Sequence, residues 1–146
     1  MTPRPVTLST EVQLSLIVPG ATTLPVRARL NYNAHDPYAL TVAFHTGGAS
    51  ASDTVEWTFA RELLMDGVTA PAGQGDVRVW PTMTVGEGIV CLSLCSPSGK
   101  ALFEVPVADL LEFLAMTYTA VPTGTESEYV DVDGGLALLL ATEPGA

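Results

Sequence analysis

Apolar and polar side chains alternate along most of the first hundred residues, and that period of two predicts strands. Val12, Leu14 and Leu16 alternate with Glu11, Gln13 and Ser15, giving a first strand over 12–18. Val26, Ala28, Leu30 and Tyr32 alternate with Arg27, Arg29 and Asn31, and Tyr38, Leu40, Val42 and Phe44 repeat the pattern. The turn-forming run Asn33-Ala34-His35-Asp36-Pro37 between them makes these two a hairpin. Further strands are expected at 55–59, 76–80, 88–95 and 101–105, the last two joined by the turn Ser96–Lys100. The strand at 88–95 is apolar on both faces, with Val90, Leu92 and Leu94 on one and Ile89, Cys91 and Cys95 on the other. Such a strand is either central or part of a subunit contact.

The period changes to the helical one in two places. Ala60 to Asp66 predicts a short helical turn closed by Gly67 as a left-handed cap. A longer helix is expected from Pro106 to about Tyr118, with Val107, Leu110, Leu111, Leu114 and Tyr118 as its core stripe. Phe113 and Met116 fall outside that stripe. Leu136 to Ala141, after an acidic linker, is apolar all round and is expected to be helical. Strands followed by a helix, twice over, predict an antiparallel α+β domain. The reading is one domain over 1–146, with a main body at 8–118 and an acidic linker plus C-terminal helix at 119–146.

Composition narrows the function. The chain has 146 residues, 47% hydrophobic, enough to bury a core without a metal or disulfide. No run approaches the roughly 20 apolar residues that span a bilayer, and Met1 to Thr10 lacks the pattern of a signal peptide, so a cytoplasmic location is expected. The net charge is -10, and beyond Lys100 eight acids stand without a base. That end is either a solvated face or a field that draws basic partners.

Cys91 and Cys95 share a strand face but lie about 13 Å apart along it, too far to bridge each other. They read as small buried hydrophobes, and no second ligand pair accompanies them to hold a metal. His35 and His45 are the chain's two histidines, and neither stands in a nucleophile–base motif. Gly73-Gln74-Gly75 precedes a strand, where a phosphate loop would precede a helix. The acids at 126, 128, 131 and 133 fail the calcium-loop spacing. No enzyme, cofactor or metal is expected.

Arg27 and Arg29 on one strand face, and Arg78 beside Trp80 on another, compose an alternative: a sheet that pairs phosphates and stacks bases of single-stranded nucleic acid. Against it stand sixteen acids and six bases. The surplus apolar surface points instead to association with protein. Candidate contacts are Arg61, an isolated charge, with Phe113, Met116 and the Leu136, Leu139, Leu140 segment.

The stretches LPVRARLNYNAHDPYALTVAFHTG (24–47), VEWTFARELLMDG (55–67), GDVRVWP (75–81), GIVCLSLCSPSGKALFEVP (88–106) and FLAMTYTAVPTGTE (113–126) occur in this order. Together they resemble the SsgA-like family of sporulation and cell-division regulators, and within it the SsgB type. The resemblance implies a non-enzymatic protein without catalytic residues or cofactor, acting at the division septum without inserting into the membrane. It implies partnership with the tubulin-like division protein FtsZ and an SsgA-type protein. It further implies a homotrimer whose subunits carry a strand-strand-strand-strand-helix plan twice, as in the Whirly class of nucleic-acid binders. Fold kinship of that sort does not carry binding activity with it.

Overall fold

The structure, a computed structural model, describes residues 7–20, 23–45, 54–84 and 87–130. Within them the chain forms β1 (Thr7–Leu16), β2 (Leu24–Asn33), β3 (Ala39–His45), β4 (Thr54–Ala60), α1 (Arg61–Thr69), β5 (Val77–Thr84), β6 (Glu87–Ser96), β7 (Gly99–Pro106) and α2 (Val107–Ala120). A single 3-10 turn follows at Glu126–Glu128. The α+β expectation holds. The strands make one sheet in the order β4-β3-β2-β1-β7-β6-β5, every pair antiparallel. The repeated plan is corrected: four strands precede α1, whereas three described strands precede α2.

The sheet curls. β3 and β7 are three strand spacings apart, about 14 Å in a flat sheet, yet the rings of Phe44 and Phe103 stack with centroids 4.7 Å apart. The inner face therefore folds on itself around Leu14, Leu30, Val42, Val90, Leu92 and Val105, all buried. β4 and β5 are the two edges of the sheet, and α1 joins them in sequence and packs mainly on β5. α2 lies against β1, β6 and β7 and touches α1.

Three local expectations change. β1 starts at Thr7, earlier than predicted, because its first half pairs with β2 through small polar side chains, with Ser9 Oγ donating to Asn31 Oδ1 at 3.0 Å. Gly67 is not a left-handed cap: α1 runs through it, and a methyl at that position would overlap the Val79 side chain. The glycine is there for close helix–strand approach. On α2 the buried residues are Leu110, Phe113, Leu114 and Thr117, so the core stripe is rotated from the predicted one and takes in Phe113. The β2–β3 turn forms as read, with the Asn33 side chain accepting from the His35 backbone and the Tyr32 hydroxyl donating to the Pro37 carbonyl, 2.9 Å each.

Candidate functional site

Arg61 is the first residue of α1, where a cation opposes the helix dipole. Its side chain leaves that end and reaches the C-terminus of α2. One guanidinium nitrogen, Nη1, donates to the carbonyls of Thr117 (3.0 Å) and Val121 (2.9 Å), and Nη2 donates to the Glu126 carboxylate (2.9 Å). The guanidinium carbon sits 4.0 Å from the centre of the Tyr118 ring and 5.3 Å from that of Tyr32. α2 has no basic residue in its own last turn, so Arg61 supplies the cap and the charge from another element.

The expectation of Arg61 as a partner contact is corrected, since the residue is 2% exposed and satisfied within the subunit. It also ties Val121 and Glu126, in the stretch expected as a linker, onto the body. The Glu126 carboxyl is held below the usual carboxylate range by its own backbone N–H, with the Gly124 N–H and Arg61 adding to it. Burial pushes the Tyr32 and Tyr118 hydroxyls up, so neither is a ready proton donor.

Above this clasp opens a groove of about 460 Å³. Tyr38, Ala60, Met65 and Tyr118 form its apolar walls, and Glu62, Asp66, Thr123 and Glu126 complete the lining. Tyr38 is 56% exposed and Met65 37%. Glu62 and Asp66 are one turn apart on α1 and both exposed. The charge of Arg61 at the floor is already balanced by Glu126, which leaves the groove net negative. Apart from Arg61, these groove residues were not proposed as contacts from the sequence. Their signal was weak: Met65 lies beside the buried Leu64, and nothing local marks which of the two is outside.

The remaining sequence candidates are dispersed. Phe113 is in the core, against expectation, while Met116 is exposed on α2 beside β1. Leu136, Leu139 and Leu140 lie outside the described residues. Arg27 and Arg29 are exposed on β2, but Arg29 pairs with Glu11 at 3.0 Å, and that hydrogen bond, with Arg27 adding charge, holds the Glu11 carboxyl down. Arg78 and Trp80 are on β5, four strand spacings away, about 19 Å of sheet. Glu104 lies between, in the cross-strand row Trp80–Cys91–Glu104–Ser15. The structure thus does not bring the nucleic-acid candidates together into a basic track.

Among the described residues no group of three or more His, Cys, Asp or Glu gathers to hold a metal ion. Cys91 is buried opposite Trp80 and Glu104, where burial and then the carboxylate push its thiol up. No described helix is long and apolar enough to cross a membrane.

The family model described as "Streptomyces sporulation and cell division protein, SsgA" matches residues 26–126. The chain belongs to the SsgA family. Within that family it is 54% identical over 140 residues to the sporulation-specific cell division protein SsgB of Frankia casuarinae, covering 96% of each chain. It is 50% identical to the SsgB of Streptomyces coelicolor, covering 92% of this chain and 96% of that one. Among solved structures, the crystal structure of an SsgA-like sporulation-specific cell division protein from Thermobifida fusca superposes with a TM-score of 0.84 at 45% identity, over 95% of this chain and 99% of that one. A structure from a study of SsgB mutations that correlate with longitudinal cell division in sporulating Streptomyces coelicolor gives 0.81 at 47% identity, over 88% and 99%.

Proposed function

We propose that this chain is a non-enzymatic, oligomeric adaptor of sporulation-specific cell division that recruits FtsZ to future septum sites together with an SsgA-type protein. The observation that carries the reading is the near-full-length similarity to proteins named SsgB, at 50% identity and above in three of them. The surface supports it in kind. It offers an acidic groove with aromatic and methionine walls, side chains of the type enriched at protein contacts. Two of the described arginines, Arg29 and Arg61, are spent on neighbouring carboxylates.

The working form in this reading is a Whirly-like homotrimer in the cytoplasm, at the division septum. Three copies of one weak contact on a rigid body raise avidity toward a polymer by roughly 10²–10⁴ over a single contact. A filament is therefore gripped where a free FtsZ subunit is not. Two measurements test this. Light scattering on the purified chain is expected to give three times the 15.3 kDa subunit mass, and a monomer would remove the avidity. A fluorescent fusion in a sporulating actinobacterium is expected at septum sites as FtsZ rings assemble. A diffuse signal throughout sporulation would overturn the recruitment role.

A further inference from the structure

We propose that the groove beside the Arg61 clasp is the docking site for a basic, apolar peptide segment of a protein partner, whose lysine or arginine pairs with Glu62 and Asp66 against Tyr38. The proposal rests on the adaptor reading and names the surface and the partner chemistry that it would use.

The floor of the groove excludes an anionic ligand. Arg61 is the cation there, and its Nη atoms already serve two carbonyls and the Glu126 carboxylate. An incoming phosphate or carboxylate would meet a buried, already neutralised guanidinium behind the carboxylates of Glu62, Asp66 and Glu126. The rim selects the opposite sign. Glu62 and Asp66 are exposed, and neither takes part in the ion pairs found among the described residues. Two carboxylates one turn apart on a helix repel each other, and a cation placed between them relieves that repulsion.

The walls suit the rest of such a side chain. Tyrosine faces attract guanidinium and ammonium groups, and methionine adapts its shape to apolar neighbours. Tyr38 and Met65 are among the large apolar residues that the subunit leaves exposed, and both line this groove. The volume, about 460 Å³, admits side chains of a peptide and lies in the range of preformed binding sites. Finally, the net charge of -10 draws basic segments toward the molecule before any contact is made.

The test uses the full chain and a short fluorescein-labelled peptide of alternating arginine and leucine, followed by anisotropy, with a glutamate–leucine peptide as its counterpart. Saturable binding of the basic peptide is expected, weaker at high salt. The double variant Glu62→Gln/Asp66→Asn and the single variant Tyr38→Ala should each weaken it at least about tenfold. A second double variant, Asp109→Asn/Glu112→Gln, removes two exposed acids of α2 away from the groove and should leave it within about twofold. Circular dichroism establishes that each variant is folded. Equal loss in both double variants, absence of saturable binding, or preference for the acidic peptide would overturn the proposal. So would a smaller oligomer for Glu62→Gln/Asp66→Asn by light scattering, because the groove would then be occupied by a second copy of the chain.

Pelleting with polymerised FtsZ separates this proposal from the reading beneath it. If wild type and Glu62→Gln/Asp66→Asn pellet equally, the groove is wrong and the adaptor stands. If wild type takes the basic peptide through Glu62 and Asp66 but never pellets with FtsZ, the groove stands and the FtsZ partnership falls.

Discussion

Replacing Arg61 with alanine removes the link between the start of α1 and the end of α2, and the structure lets the cost be worked out bond by bond. The Thr117 carbonyl keeps a partner, because the Val121 backbone N–H also donates to it at 2.8 Å. The Val121 carbonyl has no second hydrogen bond among the described residues and belongs to a fully buried residue, so it bears an unsatisfied-acceptor penalty of about 1–3 kcal/mol. The Glu126 side chain is 14% exposed and recovers hydration, so breaking its ion pair adds less than the stranded carbonyl does. Loss of the guanidinium from the face of Tyr118 acts in the same direction.

Together these effects put the expected destabilisation at the upper end of the acceptor penalty, about 3 kcal/mol, a shift of roughly 2 M in the urea midpoint for a slope near 1.5 kcal/mol/M. Arg61→Lys should fall between wild type and alanine, since a single ammonium cannot serve two carbonyls and a carboxylate at once. Equilibrium unfolding in urea, at one fixed protein concentration so that any assembly contributes equally, measures both. An Arg61→Ala midpoint within about 0.5 kcal/mol of wild type would refute the clasp as a determinant of stability.

Three further outcomes follow from single contacts. Gly67→Ala, which would gain about 1 kcal/mol in an isolated helix, should here lose about 1–3 kcal/mol because its methyl meets Val79; thermal unfolding decides, and a raised midpoint contradicts the packing. The Glu126 carboxyl is depressed in the folded state, so the stability it lends is complete above the ordinary carboxylate pKa and disappears as pH falls through the lower folded value. Urea midpoints between about pH 5 and pH 3 should therefore fall less steeply for Glu126→Gln than for wild type, and parallel curves would contradict this. The Cys91 thiol, buried and pushed up, should resist a thiol-reactive dye in folded Cys95→Ser protein and react once urea unfolds it. Labelling of the folded form at the unfolded rate would count against its burial.

What the sequence disclosed was local. The hairpin from Val26 to Phe44 was legible because alternation and the Asn33–Pro37 turn act over neighbouring residues, and the observed register pairs Ala28 with Phe44 and Leu30 with Val42. The union of all strands in one sheet was not legible. It depends on β1 meeting β7 through Ser15–Glu104 and Leu16–Phe103, about ninety residues apart and carrying no pattern of their own. Arg61 misled for the same reason. In sequence it is an isolated charge, but its partners lie at 117, 121 and 126. Phe113 misled for another: the stripe on α2 was read one position out, because a mostly apolar helix leaves the direction of its buried face to the sheet it meets.

Among the groove residues, Tyr38 sits within the stretches that carried the family resemblance, and its exposure becomes visible once β3, α1 and α2 are in place. Charge imbalance beyond Lys100 pointed to basic partners in general, while the acids that line the groove on α1, Glu62 and Asp66, come from the other half of the chain.

The adaptor account meets its most direct test in the ultracentrifuge, with purified chain and GTP-polymerised FtsZ. The account predicts that the chain pellets with the polymer in a saturable manner, stays in the supernatant when FtsZ is held unpolymerised, and is not released by single-stranded DNA. A chain that remains soluble at every polymer concentration, although folded and trimeric, would contradict it.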